Sequence, residues 1–283
     1  MGASFDLSGK VCVVTGAVGL LGKEHCKALR AAGADVVVAD VNQAAVDAFT
    51  TELSGSPGPT SEKQGRVLGV AVDVTSKASL EKARDTILDQ LGRIDVLVNN
   101  AAINDMFESP QAGAELSKFE NYPLELWQRS LDVNVTGVFL CCQVLGTVMA
   151  KAGLAGKGGG SIINVASTYG LVGPDQSIYV RPDGTQTFYK SASYPATKGA
   201  VMNFTRFLAA YWGKAGVRVN TLCPGGIENG QEAYFLENYG KKTPLGRMGK
   251  RDEMSGAIVF MASDASSYMT GSAVVVDGGW TAW

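Results

Sequence analysis

KVCVVTGAVGLLG, residues 10–22, decides the fold. The apolar, β-branched run 10–15 reads as a strand buried on both faces, and residues 20–32 behind it carry the 3.6-residue spacing of a helix. Gly16, Gly19 and Gly22 stand at the turn between the two. In such a unit the first glycine lets the chain turn tightly off the strand, and the second lets the backbone approach a pyrophosphate. The third lets helix and sheet pack closely, and the helix N-terminus favours the anion. The spacing is G-x-x-G-x-x-G, not the G-x-G-x-x-G of a Rossmann fingerprint, so the triplet alone is a weak signal. Asp40 strengthens it. It ends the next apolar run 18 residues after Gly22, where a carboxylate can bind both ribose hydroxyls and repel a 2′-phosphate. Val41, Asn42 and Gln43 bring no cation to hold that phosphate, so NAD is expected as cofactor ahead of NADP.

Working outward, the same pattern recurs. Runs at 35–39, 67–72, 94–98, 161–165, 217–222 and 273–276 are apolar and continuous, and helical spacing occupies 43–53, 77–91, 124–149, 194–213 and 251–263. Strands alternating with helices imply βαβ crossovers. The expected architecture is α/β, a single-domain Rossmann fold over residues 1–283, with a doubly wound seven-stranded parallel sheet and helices on both faces. Residues 54–65, rich in Gly, Pro and Ser, read as a surface loop rather than a domain boundary. Stretches 103–122 and 169–193 are long for loops of a compact domain, and together with 226–245 they are expected to bear on substrate.

Composition bounds the function. Of 283 residues 46% are hydrophobic and 18% charged, which excludes a disordered chain, and a formal charge of −2 leaves no electrostatic footprint for nucleic acid or an anionic membrane. MGASFDLSGK, residues 1–10, lacks a signal-peptide pattern, Asp6 spoils a myristoylation site, and no uninterrupted apolar stretch reads as a membrane span. A cytoplasmic location is expected. Five cysteines without a C-x-x-C spacing read as buried reduced thiols. The sole histidine, His25, reads as structural, and no metal site is expected.

SYPATKGAV, residues 193–201, puts Tyr194 and Lys198 four apart on one helical face. A nearby ammonium lowers a phenol from its ordinary value of about 10 toward neutrality, as a general base requires. Y-x-x-x-K is commonplace by itself, yet here it ends a series: TGAVGLLG (15–22), Asp40, DVT (73–75), NNAA (99–102), DVN (132–134), GSIINVAS (160–167), YPATK (194–198), VRVNTLCPGGI (217–227) and VVDGGW (275–280). Over essentially its whole length the chain resembles the compact members of the short-chain dehydrogenase/reductase superfamily. The resemblance implies that Tyr194 is the general acid/base and that Lys198 lowers its pKa and binds the nicotinamide ribose. Ser167 would polarise the substrate oxygen, and Asn134 would hold a water in a proton relay. Leu21, Asn100 and Ala101 would border the cofactor, Asp73 and Val74 would flank its adenine, and Pro224, Gly225 and Ile227 would border its nicotinamide.

The chain departs from that family in four places. Leu20 stands where the middle glycine is usual, NNAA replaces NNAG, and Asn229 replaces a threonine that binds the carboxamide. The fourth is the gap from Ser167 to Tyr194, 27 residues and about twice the usual length, which marks an inserted segment. Similar insertions occur in relatives tied to surface-sugar and flagellin modification. Asp175, Gln176, Tyr179, Arg181, Asp183, Tyr189 and Lys190 of the insert suit a polar, carbohydrate-like substrate. The reading is an NAD-dependent oxidoreductase of a secondary alcohol or ketone. Its competitors are a non-catalytic NAD-binding scaffold and a 3-oxoacyl-type ketoreductase, and a homotetramer or dimer is expected.

Overall fold

Seven strands form one parallel sheet in the order β3-β2-β1-β4-β5-β6-β7, in a computed structural model that describes residues 4–56, 65–104 and 110–283. The strands are β1 (Val11–Thr15), β2 (Asp35–Asp40), β3 (Val67–Ala71), β4 (Val96–Asn99), β5 (Gly160–Val165), β6 (Val217–Pro224) and β7 (Ala273–Val276). All five residues of β1 are buried because both its faces are covered. Val11 and Val13 pack in one apolar layer with Val37 and Leu97, and Cys12 and Val14 pack in the other with Val36, Val38 and Val98. Alternate residues thus enter opposite layers, which is why the strands read as unbroken apolar runs.

The helices are α1 (Leu20–Ala31), α2 (Gln43–Gly55), α3 (Lys77–Leu91), α4 (Pro110–Leu116), α5 (Leu124–Leu154), α6 (Ser193–Trp212), α7 (Ala233–Gly240) and α8 (Ser255–Ala262). Leu80 of α3, Leu145 of α5 and Leu208 of α6 fill the first layer; Leu29 of α1, Phe49 of α2 and Met261 of α8 fill the second. Each such side chain contributes ~1.5–3 kcal/mol on burial. Local signals set the helix ends. The Asn42 side chain accepts from Ala45 N at 3.1 Å to start α2, and Gly92, at φ 79°, ends α3 in the left-handed region.

Three expectations are corrected here. Stretches 103–122 and 226–245 are not wholly irregular, for α4 and α7 lie within them. The helix expected at 124–149 runs on to Leu154 and contains two π turns, Asp132–Thr136 and Cys142–Gly146. It is also long and apolar enough to cross a membrane by length and composition, contrary to the reading of the sequence; 56% of its apolar window is buried in the protein. The loop expected at 54–65 lies mostly outside the described residues.

Strand order positions the site. From β1 the chain builds outward to β2 and β3, and from β4 it builds the other way to β5, β6 and β7. The loops that leave the carboxyl ends of the neighbouring strands β1 and β4 therefore diverge and open a crevice between them.

Candidate active site

Gly16 carries the chain off β1 at φ +62°, and a Cβ there would lie 2.7 Å from Ala101 Cα, so the β1 and β4 loops touch backbone to backbone. Asn100 Nδ2 locks them by donating to Thr15 O and Gly16 O, each at 3.0 Å, while Thr15 Oγ1 accepts from the N–H of Asn100 and of Ala101. A Cβ on Gly22 would collide with Gly16 O, so this glycine serves helix–strand packing, as expected. Gly19 is the N-cap of α1 and brings no side chain to its first turn, leaving the helix N-terminus to face the cleft in backbone form. Leu20 and Leu21 line the cleft beside it, and Gly22 sits behind it. The shifted glycine spacing therefore preserves the turn.

Asp40 ends β2 at the cleft edge, where one carboxylate oxygen accepts from Val18 N at 3.3 Å. A side cavity of about 660 Å³ runs from Gly16, Asp40 and Ala101 to Val41, Asp73, Val74 and Thr75. The Asp73 carboxylate accepts from Thr75 N and Oγ1, at 2.9 and 2.7 Å, which fixes that floor. An acid at the ribose end, an apolar floor beyond it and a side-chain-free helix N-terminus between them fit an extended dinucleotide.

The main cavity, about 730 Å³, shares Gly16, Asp40 and Ala101 with the first and carries Ser167, Tyr194, Lys198, Pro224, Gly225 and Ile227 in its wall. Ser167 follows β5, its hydroxyl accepts from Tyr169 N at 3.2 Å, and it lies in the same wall as Tyr194. Tyr194 lies in the first turn of α6, with Lys198 one turn on. Lys198 is 4% exposed, and its ammonium donates to Val165 O at 2.9 Å and lies 5.6 Å from the centre of the Tyr194 ring. Burial draws its pKa down to about 8. The expected depression of the Tyr194 pKa by Lys198 is not found: burial raises it, with the Ser167 hydroxyl opposing. The ammonium is committed to a carbonyl, and desolvation of the phenolate outweighs the rest.

Asn134 sits in the first π turn of α5 rather than in the cavity wall. Its amide accepts from Ile103 N at 2.8 Å, donates to Ile103 O at 3.0 Å and reaches Thr197 Oγ1 at 3.3 Å. It thereby ties α5, the β4 loop and α6 together. Ile227 forms an isolated bridge with Gly249 through Gly249 N to Gly226 O and Glu228 N to Gly249 O, a pairing that does not use the Ile227 N–H. Asn229 departs from expectation. It is exposed, its side-chain oxygen accepts from Arg251 at 2.7 Å, and Gln231 takes the place in the wall.

The insert closes the cavity differently from what its polar content suggested. Only Tyr179 and Lys190 of its seven expected residues line the wall, joined by Tyr169 and Phe188. Asp175 pairs with Lys242 at 2.7 Å, Arg181 with Glu232 at 2.9 Å, Asp183 caps Thr185, and the Tyr189 N–H donates to Ser117 Oγ. Gln176 clamps the Lys190 backbone, accepting from its N–H at 2.9 Å and donating to its C=O at 3.0 Å. Phe235 and Tyr239 of α7 complete an aromatic wall, with Trp280 stacked on Tyr239 at 4.5 Å. Phe188, Gln231, Phe235 and Tyr239 were not foreseen; the aromatic density of residues 234–239 was the available signal.

The family model for enoyl-(acyl carrier protein) reductase matches residues 16–281. The chain is similar to D-threitol dehydrogenase of Mycolicibacterium smegmatis, 35% identical over 98% of this chain and 95% of that one. It is similar to 3-alpha-(or 20-beta)-hydroxysteroid dehydrogenase of Mycobacterium tuberculosis, 36% identical over 96% and 90%, and to NAD-dependent glycerol dehydrogenase of Listeria innocua, 31% identical over 98% and 96%. Among solved structures, a short-chain type dehydrogenase/reductase from Mycobacterium marinum superposes with a TM-score of 0.80 at 35% identity, covering 98% of this chain and 97% of that one. A gluconate 5-dehydrogenase from Burkholderia cenocepacia, in complex with NADP and tartrate, gives 0.82 at 29%, covering 99% and 98%.

Proposed function

The chain belongs to the short-chain dehydrogenase/reductase superfamily, oxidoreductases of CH–OH groups, and we propose that it oxidises a polar, polyol- or carbohydrate-like secondary alcohol with NAD. One observation carries the reading: Ser167, Tyr194 and Lys198 meet in a single cavity that is continuous with the Gly16 and Asp40 wall. The threitol and glycerol dehydrogenases among the relatives support the substrate class. The aromatic wall is compatible with it, because aromatic faces pack on the C–H faces of sugars while a few polar groups orient the hydroxyls. Asp40 supports NAD, since its carboxylate would accept from ribose hydroxyls and repel a 2′-phosphate.

A bound nicotinamide would supply the hydride acceptor. Tyr194 would take the proton of the substrate hydroxyl while the Ser167 hydroxyl holds the same oxygen. Lys198, drawn to about 8 by burial and held by the Val165 carbonyl one turn from Tyr194, would keep a positive charge near the phenol as it gains and loses the proton. Asn134 would act through Ile103 and Thr197, holding the cavity floor. The outer faces of α5 and α6 expose Phe139, Phe207 and Tyr211 (44, 60 and 69%), an aromatic surface suited to a second copy of the chain, which sedimentation would detect as a dimer or tetramer.

The test is NADH formation with a panel of secondary alcohols including threitol, glycerol and larger sugar alcohols. Turnover of at least one with NAD, and its loss in Tyr194→Phe, is the expected result. Failure of the whole panel with either nucleotide, or full activity in Tyr194→Phe, would overturn the reading.

A further inference from the structure

The insert carries one feature beyond the Ser167, Tyr194 and Lys198 set. Lys190 Nζ stands 4.0 Å from the centre of the Tyr194 ring, nearer than Lys198 at 5.6 Å. Its placement is built. Gln176 holds both backbone groups of Lys190, and Asn104 Oδ1 accepts from its ammonium at 2.8 Å. The Gln176 turn is anchored in its own right, by Asn238 Nδ2 donating to Val180 O at 3.0 Å and by Ile178, buried against Tyr239 and Met248. The insert thus presents one ammonium to the face of the one tyrosine proposed to exchange a proton.

We propose that Lys190 is a positioning residue that stabilises the ionised form of Tyr194 and thereby sets the pH at which the site works. This rests on the reading of Tyr194 as the acid/base. An ammonium over a neutral phenol gains only the quadrupole attraction of the ring. Over a phenolate it gains a charge–charge attraction as well, strengthened where burial excludes water. The difference favours ionisation. Among the described residues, the other titratable groups facing Tyr194 are Lys198 on its own helix, Tyr169 at 6.5 Å and Tyr179 from the insert, with Cys223 of β6 beside Lys198. Neither of the facing tyrosines supplies a positive charge. Lys198 also stands over the ring, at 5.6 Å, but its ammonium donates to the Val165 carbonyl, so Lys190 is the nearer of the two cations on the ring. On this account the insert supplies the second cation of the site as well as a cover over it.

The experiment compares wild type, Lys190→Met and Lys190→Arg by two readouts. The first is kcat/KM against pH with the best alcohol found. Lys190→Met is expected to move the acid limb up by about one pH unit, so that activity below the limb falls about tenfold and returns at high pH, while Lys190→Arg keeps the wild-type limb. The second is tyrosinate absorbance against pH, with Tyr194→Phe subtracted to isolate the one step, which is expected to shift in the same sense. A limb and a tyrosinate step that stay in place in Lys190→Met overturn the proposal, and so does a change confined to KM, which would make Lys190 a substrate contact. If no alcohol is turned over, the proposed function fails, while the absorbance step still decides what Lys190 does to Tyr194.

Discussion

The cavity has two halves made by different means. On the nucleotide side the frame is backbone, with Gly16 against Ala101, Gly22 against Gly16 O and Asn100 bonded to main-chain carbonyls, and side chains such as Asp40 and Asp73 are set on that frame at the ends of buried strands. On the substrate side the wall is side chains: Tyr169, Tyr179, Phe188, Phe235 and Tyr239, carried on 3-10 turns, loops and the eight-residue helix α7. A backbone frame tolerates almost no substitution and suits a ligand of fixed shape. A side-chain wall can be re-cut without moving the sheet, so substrate choice is free to vary while the nucleotide seat stays put.

Substitutions can break this comparison or sharpen it. The largest effect is expected where the halves meet: Tyr194→Phe should lower kcat by about 10²–10⁴ while leaving thermal stability and NAD binding near wild type, measured by kinetics and a thermal shift. The nucleotide half should be sensitive to acid. His25 of α1 is fully buried with neither ring nitrogen hydrogen-bonded, and burial lowers its pKa to about 4. The unfolded chain binds a proton below about 6.5 that the folded chain refuses until about 4. Stability is therefore whole above pH ~6.5 and falls by up to ~3 kcal/mol as pH drops to ~4. Urea titrations at several pH values should show that slope in wild type and a shallower one in His25→Leu.

Gly16→Ala should cost ~1–3 kcal/mol for its positive φ, more if Ala101 cannot yield, and should abolish stabilisation by NAD. Asp40→Asn should weaken NAD about tenfold and narrow its advantage over NADP, as calorimetry would read. The smallest effect belongs to the substrate half. Tyr239→Phe removes the acceptor of the Gly226 N–H and should cost ~1 kcal/mol, appearing as a few-fold rise in KM with kcat little changed. If Gly16→Ala proves as mild as Tyr239→Phe, the contrast between the halves is wrong.

The same contrast explains what was legible in the sequence. Strand runs and glycines answer to local rules, so all seven strands and the turn and packing roles of Gly16 and Gly22 are legible in the sequence alone. The short helices α4 and α7 were missed because helices of seven and eight residues persist through tertiary contacts rather than propensity. The polar residues of the insert were read as facing substrate, whereas a long irregular segment must first satisfy its own backbone, which is where Gln176, Asp175 and Asp183 are engaged. Asn229 was placed by analogy along the chain, and Arg251, 22 residues on, turns it outward. No short-range rule reports such a contact, nor the meeting of Lys190 with Tyr194.

The most direct test of the account is the fate of one hydrogen. An alcohol substrate deuterated at the carbinol carbon, incubated with NAD and the protein, should yield reduced nucleotide carrying the deuterium, and Tyr194→Phe should bind NAD yet transfer almost none of it. Reduced nucleotide without the label, or a Tyr194→Phe variant that transfers it at the wild-type rate, would contradict the account.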